Sequence, residues 1–365
     1  MGYFAQPLHK DSLIYLIKPW VTSKIKANHI GVFKGRKGMK IGLTYNLRKN
    51  YKWQADDPVD ADAEFDSEST IDQLSHALEE LGHEVIRIGE GERIFEVLKQ
   101  KSVDIVFNLA EGFHGRSREA QIPAILEMLD IPYVFSDPLT LALCHDKYLA
   151  KQIVAYNGIP TPKGIKVTTC KALDSVALSY PLFAKPVHEG SAKGVTADSV
   201  IYNQDQLKSQ VEFLLKAYKQ PVLLEEYLSG DEFTVAILGN GEEARVLGMM
   251  QVIVKGPSEK KVYSFRAKEE WRQLVEYTEV SPEKRGRIEE VALRAYRALE
   301  CRDVGRVDIR CNERGEPFFL ELNTIPGMSP NHSDLCIIAA MVGMSYKDLI
   351  GNILNQALRR YGWVK

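Results

Sequence analysis

The alternation of strand-like and helix-like segments between Lys40 and Leu109 restricts the fold more than any other feature of the chain. Lys40 to Tyr45 reads as a short strand. Thr70 to Leu81 sets Ile71, Leu74, Leu78 and Leu81 on one helical face, and Gly82 suits a left-handed C-cap. Glu84 to Ile88 reads as a second strand. Val103 to Leu109 reads as a third, with few enough charges to be buried on both faces. Such alternation implies a parallel sheet with crossover helices, whose ligands sit at the carboxyl ends of strands. Asn108, Glu111, Gly112 and Gly115 follow one such end.

The chain has 365 residues, 45% of them hydrophobic, enough for two or three domains with their own cores. An N-terminal α/β domain is expected over 39–136. Within it the acidic stretch Asp56 to Glu68 has little to bury and reads as a loop or a mobile lid. A central α+β lobe is expected over 137–238. It has a helix at Pro138 to Asn157 and strands at Lys163 to Val167, Leu182 to Pro186, Val222 to Tyr227 and Phe233 to Leu238. Two further helices are expected at Cys170 to Leu178 and Asp205 to Tyr218. A C-terminal lobe, 239–365, carries a long amphipathic helix, Pro282 to Leu299. Two strands, Gly305 to Cys311 and Pro317 to Leu322, follow, joined by the turn Asn312 to Glu316, and a last helix runs from Ser345 to Tyr361. Residues 1–38 form an extension whose structure the sequence leaves open. Leu13, Ile14, Leu16 and Ile17 share one helical face that Pro19 would end.

A formal net charge of −2 with 26% charged residues gives no reason to expect nucleic acid or an anionic membrane as partner. The local basic run Lys34 to Lys40 reads as a solvated linker. Five cysteines, an odd number without a Cys-x-x-Cys pair, argue against a disulfide framework or a zinc site and for buried thiols of a reducing compartment. No stretch approaches the ~20 apolar residues of a membrane span, and the apolar run Leu13 to Ile17 is too short for a signal peptide. The expected location is the cytoplasm.

The chemistry concentrates on the last two strands. Glu321 and Asn323 are two apart and share a strand face, and an antiparallel neighbour would bring Asp308 beside them. Two carboxylates and an amide oxygen are hard donors suited to Mg²⁺, with phosphate oxygens and water completing the shell. Arg306 shares the face of Asp308 and can hold charge developing on an acyl-transfer intermediate, the alternative being a salt bridge to Glu321. Gly327, in the following Thr324 to Met328 segment, lets the backbone approach a ligand and offers an amide to an oxyanion. A second feature is Lys185 at a strand end, followed by the loop Glu189, Gly190, Ser191, Ala192, Lys193 and Gly194. Backbone amides in such a loop can wrap phosphate oxygens, with the lysine as a point charge. Third, the strand edge Glu225, Glu226, Tyr227 and Leu228 can read an adenine and Glu232 can hold ribose hydroxyls. The alternative is an ordinary strand with exposed acids. Arg266 to Glu269 lies in a polar segment, Lys255 to Gln273, that can close over phosphates. Lys147 is a further candidate nucleotide contact.

Taken in order, these motifs resemble the D-alanine–D-alanine ligase family of ATP-grasp enzymes over about residues 103 to 360. The resemblance rests on His145-Asp146-Lys147, Ala184-Lys185-Pro186, Glu189-Gly190-Ser191, Glu225 to Thr234, Gly305 to Asp308 and Leu320 to Met328. It implies a three-domain ATP-grasp architecture, mixed α/β and α+β, with ATP between the second and third domains. Lys147 and Lys185 would then contact phosphates, Glu225 to Leu228 the adenine and Glu232 the ribose. Lys268 would be the lysine of the mobile loop, and Arg306 the arginine at the reaction centre. Asp308, Glu321 and Asn323 would be the Mg²⁺ ligands, with Mn²⁺ as a substitute. The implied reaction phosphorylates a carboxylate, and an amine then displaces phosphate from the acyl phosphate. The partners are a small-molecule carboxylate and amine, and a homodimer is a further expectation.

The chain departs from the family where substrates bind. Tyr45 to Tyr51 and the acidic stretch stand where a Gly-Gly-x-Ser-x-Glu loop is usual, Glu269 stands where many members have tyrosine, and Ser329 to Leu335 is longer. Ser191 is retained and can orient an amine, and the polar turn Glu111 to Glu119 offers substrate contacts. The expected function is a carboxylate–amine ligase acting on amino acids or small peptides. D-alanine–D-alanine ligase proper and an ATP-binding protein without catalysis are the alternatives.

Overall fold

The computed structural model describes residues 36, 38–91, 93–100, 102–255 and 262–364. The apolar face around Leu13 to Ile17 and Lys34, Gly35 and Lys37 of the basic run lie outside the described residues, as do 256–261 of the polar segment.

In the N-terminal sheet, β1 (Lys40–Tyr45), β2 (Glu84–Gly89), β3 (Ile105–Leu109) and β4 (Tyr133–Val134) run parallel in the order β2-β1-β3-β4. The crossovers use α1 (Glu68–Glu80), α2 (Arg93–Lys99) and α3 (Gln121–Met128). Ser67 caps α1 by accepting the Thr70 N–H, and Gly82 at φ +90° reverses the chain after it. β3 is buried along its whole length, as its uncharged run requires.

The acidic stretch corrects one expectation, because it has a good deal to bury. Ala61, Ala63 and Phe65 are buried, and three of its carboxylates, Asp56, Asp60 and Glu64, reach the central lobe. Asp60 accepts the Gly194 N–H at 2.8 Å and the Tyr218 hydroxyl at 2.8 Å.

Two helices stand where the sequence suggests one, α4 (Pro138–His145) and α5 (Lys147–Tyr156). Asp146 between them has φ −84° and ψ 92°, and its side chain accepts the Leu149 N–H. An aspartate that caps a new helix is favoured over one continuing inside an old helix. The central sheet is antiparallel, with β5 (Gly164–Val167), β6 (Leu182–Pro186), β7 (Val200–Ile201) and β8 (Val222–Glu226) in the order β5-β8-β6-β7. Its core, including Leu182, Ala184, Val222 and Leu224, packs on Leu207, Val211 and Leu214 of α6 (Gln204–Tyr218). The helix expected at Cys170 to Leu178 is a 3-10 stretch, Cys170–Ser175, after which Val176 returns to extended backbone. So short a segment gains little from helical cooperativity.

The C-terminal sheet is antiparallel, with β9 (Glu232–Leu238), β10 (Arg245–Val254), β11 (Val275–Glu279), β12 (Val304–Cys311) and β13 (Pro317–Asn323) in the order β11-β10-β9-β12-β13. β9, grouped by sequence with the central lobe, is therefore hydrogen-bonded between β10 and β12. The chain between β10 and β11 contributes two short helices, α7 (Phe265–Glu269) and α8 (Trp271–Leu274). One face of the sheet is covered by Ile288, Val291, Ala295 and Tyr296 of α9 (Pro282–Ala298) together with Ala150 and Val154 of α5. On the other, α10 (Asp334–Met341) lies so close to β10 that a Cβ on Gly248 would be 2.7 Å from Ile338. The chain closes with α11 (Tyr346–Arg360). Four cysteines are buried, but Cys170 is exposed, against expectation. Among the described residues no single helix is long and apolar enough to cross a membrane.

Phe233 lies in the middle of this core and is fully buried. Phe233→Ala should lower stability by about 3–5 kcal/mol, read as a shifted urea midpoint. A loss below about 1 kcal/mol would place the core elsewhere.

Candidate active site

The register of β12 and β13 pairs Asp308 with Glu321 and Arg306 with Asn323. Asp308 is the hub. Arg306 donates to it from Nε at 3.2 Å and from Nη2 at 3.0 Å, Thr234 Oγ1 donates at 3.0 Å, and Asn323 Nδ2 donates at 3.2 Å. Arg306 also faces Asp334 at 3.5 Å, so its ion pairs are with Asp308 and Asp334, not with the Glu321 of the alternative reading. Glu321 faces two lysines from the central lobe, Lys147 at 3.6 Å and Lys185 at 3.8 Å. Burial opposes its charge, but these lysines hold its carboxyl well below the usual range. Two carboxylates and an amide oxygen thus sit together on two paired strands. All are hard oxygen donors, and as a partial shell they fit a divalent cation shared with phosphate oxygens.

Lys185 ends β6, and the glycine loop follows. Ser191 and Ala192 adopt positive φ, +49° and +58°, and Gly194 has φ +73°. Successive left-handed residues curl the loop so that its amides can converge on an anion. The anion bonded there belongs to the protein, since the Gly190 N–H donates to Glu64 of the acidic stretch. The same carboxylate accepts Arg118 Nη2 at 2.8 and 2.7 Å and pairs with Lys193 at 3.1 Å. Lys193 also pairs with Glu189, whose carbonyl accepts a hydrogen bond from Lys147.

Two adjoining chambers meet at Lys147, Lys268, Glu321 and Tyr263. The first is lined on one side by Ser191, Arg306, Asn323 and Gly327 and on the other by Glu64, Glu111, Glu119 and His145. A Cβ on Gly327 would lie 2.7 Å from Ser333 Oγ, so a side chain here would have to displace that hydroxyl. The second chamber is lined by Phe183, Lys185, Glu189, Glu232, Asp308 and Arg310 among others. Lys268, on α7, lines both, its ammonium 4.9 Å from the Tyr263 ring centroid. Glu225, Glu226, Tyr227 and Leu228 line neither. The Glu225 carboxylate is buried between Lys151 at 2.9 Å and Lys185 at 3.3 Å, and Tyr227 stacks on Phe183 of the chamber wall. Glu232 is held by Arg310 at 2.9 Å, yet burial raises its carboxyl pKa. Glu269 points away, toward Arg48 at 3.4 Å and His332 at 3.9 Å.

Sequence reasoning missed Lys151, Arg310 and Glu64. Burial lowers Lys151 to a pKa of about 8 despite Glu225. Lys151 falls on the inner face of a helix, where an unusually apolar setting for a lysine is its only sequence signal. Arg310 continues the alternation Arg306, Asp308, Arg310 along β12, which period-two reading could have extended.

The sequence family described as D-ala D-ala ligase C-terminus matches residues 153–355. An uncharacterized protein of Sinorhizobium fredii is 34% identical over 304 residues, 80% of this chain and 88% of that protein. The D-alanine–D-alanine ligase of Bordetella pertussis is 34% identical over 271 residues, 73% of this chain and 82% of the enzyme. Among solved structures, D-alanine–D-alanine ligase from Bacillus anthracis complexed with ATP superposes with a TM-score of 0.68 at 25% identity, over 89% of this chain and 99% of that one.

Arg118 tests the charge network. Glu64 has its carboxyl held low by Arg118 and Lys193 against burial, so its contribution is present above the unfolded pKa and is lost as pH falls through the folded one. Arg118→Met should cost about 3–5 kcal/mol near neutral pH. The difference from wild type should narrow below about pH 4, where Glu64 protonates in the variant. Urea titrations across pH measure it, and a gap independent of pH would contradict the pairing.

Proposed function

The chain belongs to the D-alanine–D-alanine ligase family of ATP-grasp carboxylate–amine ligases, and from that premise we propose that it condenses two amino acids or small peptides with cleavage of ATP to ADP and phosphate. The observation that carries the reading is the pairing of Asp308 with Glu321 and of Arg306 with Asn323, opposite Lys147 and Lys185.

In this reading Lys147, Lys185 and the amides around Ser191 hold the ATP phosphates, and Glu232 takes the ribose. Asp308, Glu321 and Asn323 would hold Mg²⁺, which supplies Lewis-acid charge at the phosphates when bound. A substrate carboxylate oxygen attacks the γ-phosphorus, the bond to the β-phosphate oxygen breaks, and ADP leaves. The amine of the second substrate then attacks the acyl carbon, the C–O bond to phosphate breaks, and the amine gives up a proton. Arg306 and the Gly327 N–H stabilise the oxyanion between these two bond changes. Lys268 on α7 lies where a closing segment would shield the acyl phosphate from water. Edge backbone at Glu226 to Leu228 is left for the adenine, while the Glu225 side chain positions Lys151 and Lys185. The supply of ATP argues for the cytoplasm, and the enzyme works as a single chain or a homodimer.

ADP release with Mg²⁺-ATP should depend on both an amino acid acting as acid and one acting as amine, assayed over a panel that includes D-alanine with itself. Asp308→Ala and Glu321→Ala should each lower turnover about a hundredfold or more while the circular dichroism spectrum is kept. Unchanged turnover in either variant would remove these residues from the site.

A further inference from the structure

In the first chamber Lys147, Lys268 and Arg306 stand with the acids Glu321 and Asp334, while Glu64, Glu111 and Glu119 come from the N-terminal domain. Glu64 is matched by Arg118 and Lys193, which Glu189 shares. Glu119 is bonded only to His145 Nδ1. The other ring nitrogen of His145 faces Arg118.

Glu111 is the wall carboxylate for which no hydrogen bond or ion pair is found among the described residues. Arg118, the cation acting on it, already serves Glu64, His145 and the His188 carbonyl. The position of Glu111 is fixed by its turn. Gly112, at φ +72°, donates its N–H to Asn46 Oδ1 at 3.0 Å, and a Cβ there would lie 2.7 Å from the Arg118 carbonyl oxygen. Burial, Glu119 and Glu64 all raise its carboxyl well above the usual range, a penalty that a bound cation relieves.

We propose that Glu111 selects a diamino acid, receiving the side-chain ammonium of a substrate bound in the first chamber. The proposal rests on the ligase reading and names the substrate class for it. A neutral amino acid leaves the half-buried Glu111 unpaired, and a site with an unpaired polar group discriminates against the ligand that fails to match it.

The test compares each diamino acid with its neutral isostere: 2,4-diaminobutyrate with 2-aminobutyrate, ornithine with norvaline, lysine with norleucine, in both enantiomers. ADP release gives kcat/KM, and calorimetry with a non-hydrolysable ATP analogue gives affinity. At least one diamino acid should exceed its isostere by about tenfold or more. Glu111→Gln should bring that ratio to about one. Glu111→Asp keeps the charge and should move the preference to a diamino acid one methylene longer, which separates recognition from a folding defect. Preference for the neutral isosteres throughout, or a Glu111→Gln ratio equal to wild type, would overturn the proposal and leave the ligase intact. An absence of ADP release with every pair would remove the ligase reading and the proposal together.

Discussion

The cleft depends on buried ion pairs made between lobes, and none of these charges tolerates being alone. Glu321 on β13 faces Lys147 and Lys185 of the central lobe, and Lys151 and Lys185 both turn to Glu225. Removing water opposes every one of these charges, and only the opposing neighbour decides the outcome. At Glu321 and Glu225 the cations win and the carboxyls are held low. At Glu232 and Glu111 burial wins and they are raised. Glu232 lines the second chamber, where Arg310 holds it, and Glu111 lines the first.

The same accounting explains why Arg306 bonds Asp308 so closely. The guanidinium satisfies both oxygens of Asp308 and turns toward Asp334. In the proposed site a divalent cation at Asp308 would compete with Arg306 for that carboxylate.

The site was legible where strand period alone carries it. Asp308, Glu321 and Asn323 follow from a two-residue repeat and a short turn, and the register agrees. The parallel order of β1 to β3 was legible for the same kind of reason. Failures came where local pattern and tertiary role part. β10 shows no clean alternation, because its middle is buried on both faces and its ends are not. The single helix over 138–157 was broken by Asp146, a residue whose preference for capping outweighs the apolar continuity on either side. Glu225 read only as part of a strand edge, because its buried partners Lys151 and Lys185 are far away in sequence.

The acidic stretch is the most instructive of these failures. Its composition resembles a solvated loop, but Ala61, Ala63 and Phe65 alternate with the acids and are buried. Successive turns over 58–65 wind the stretch, and Asp60 and Glu64 accept the Gly194 and Gly190 amides. Glu64 therefore belongs to two places at once: it lines the substrate chamber and it bonds the loop proposed to hold phosphates. Any movement of the glycine loop onto a phosphate must lengthen or redirect that bond, and any cation entering the chamber weakens the hold of Glu64 on Arg118. The departure from the family's usual loop thus falls on the residue through which occupancy of the substrate side and geometry of the nucleotide side communicate.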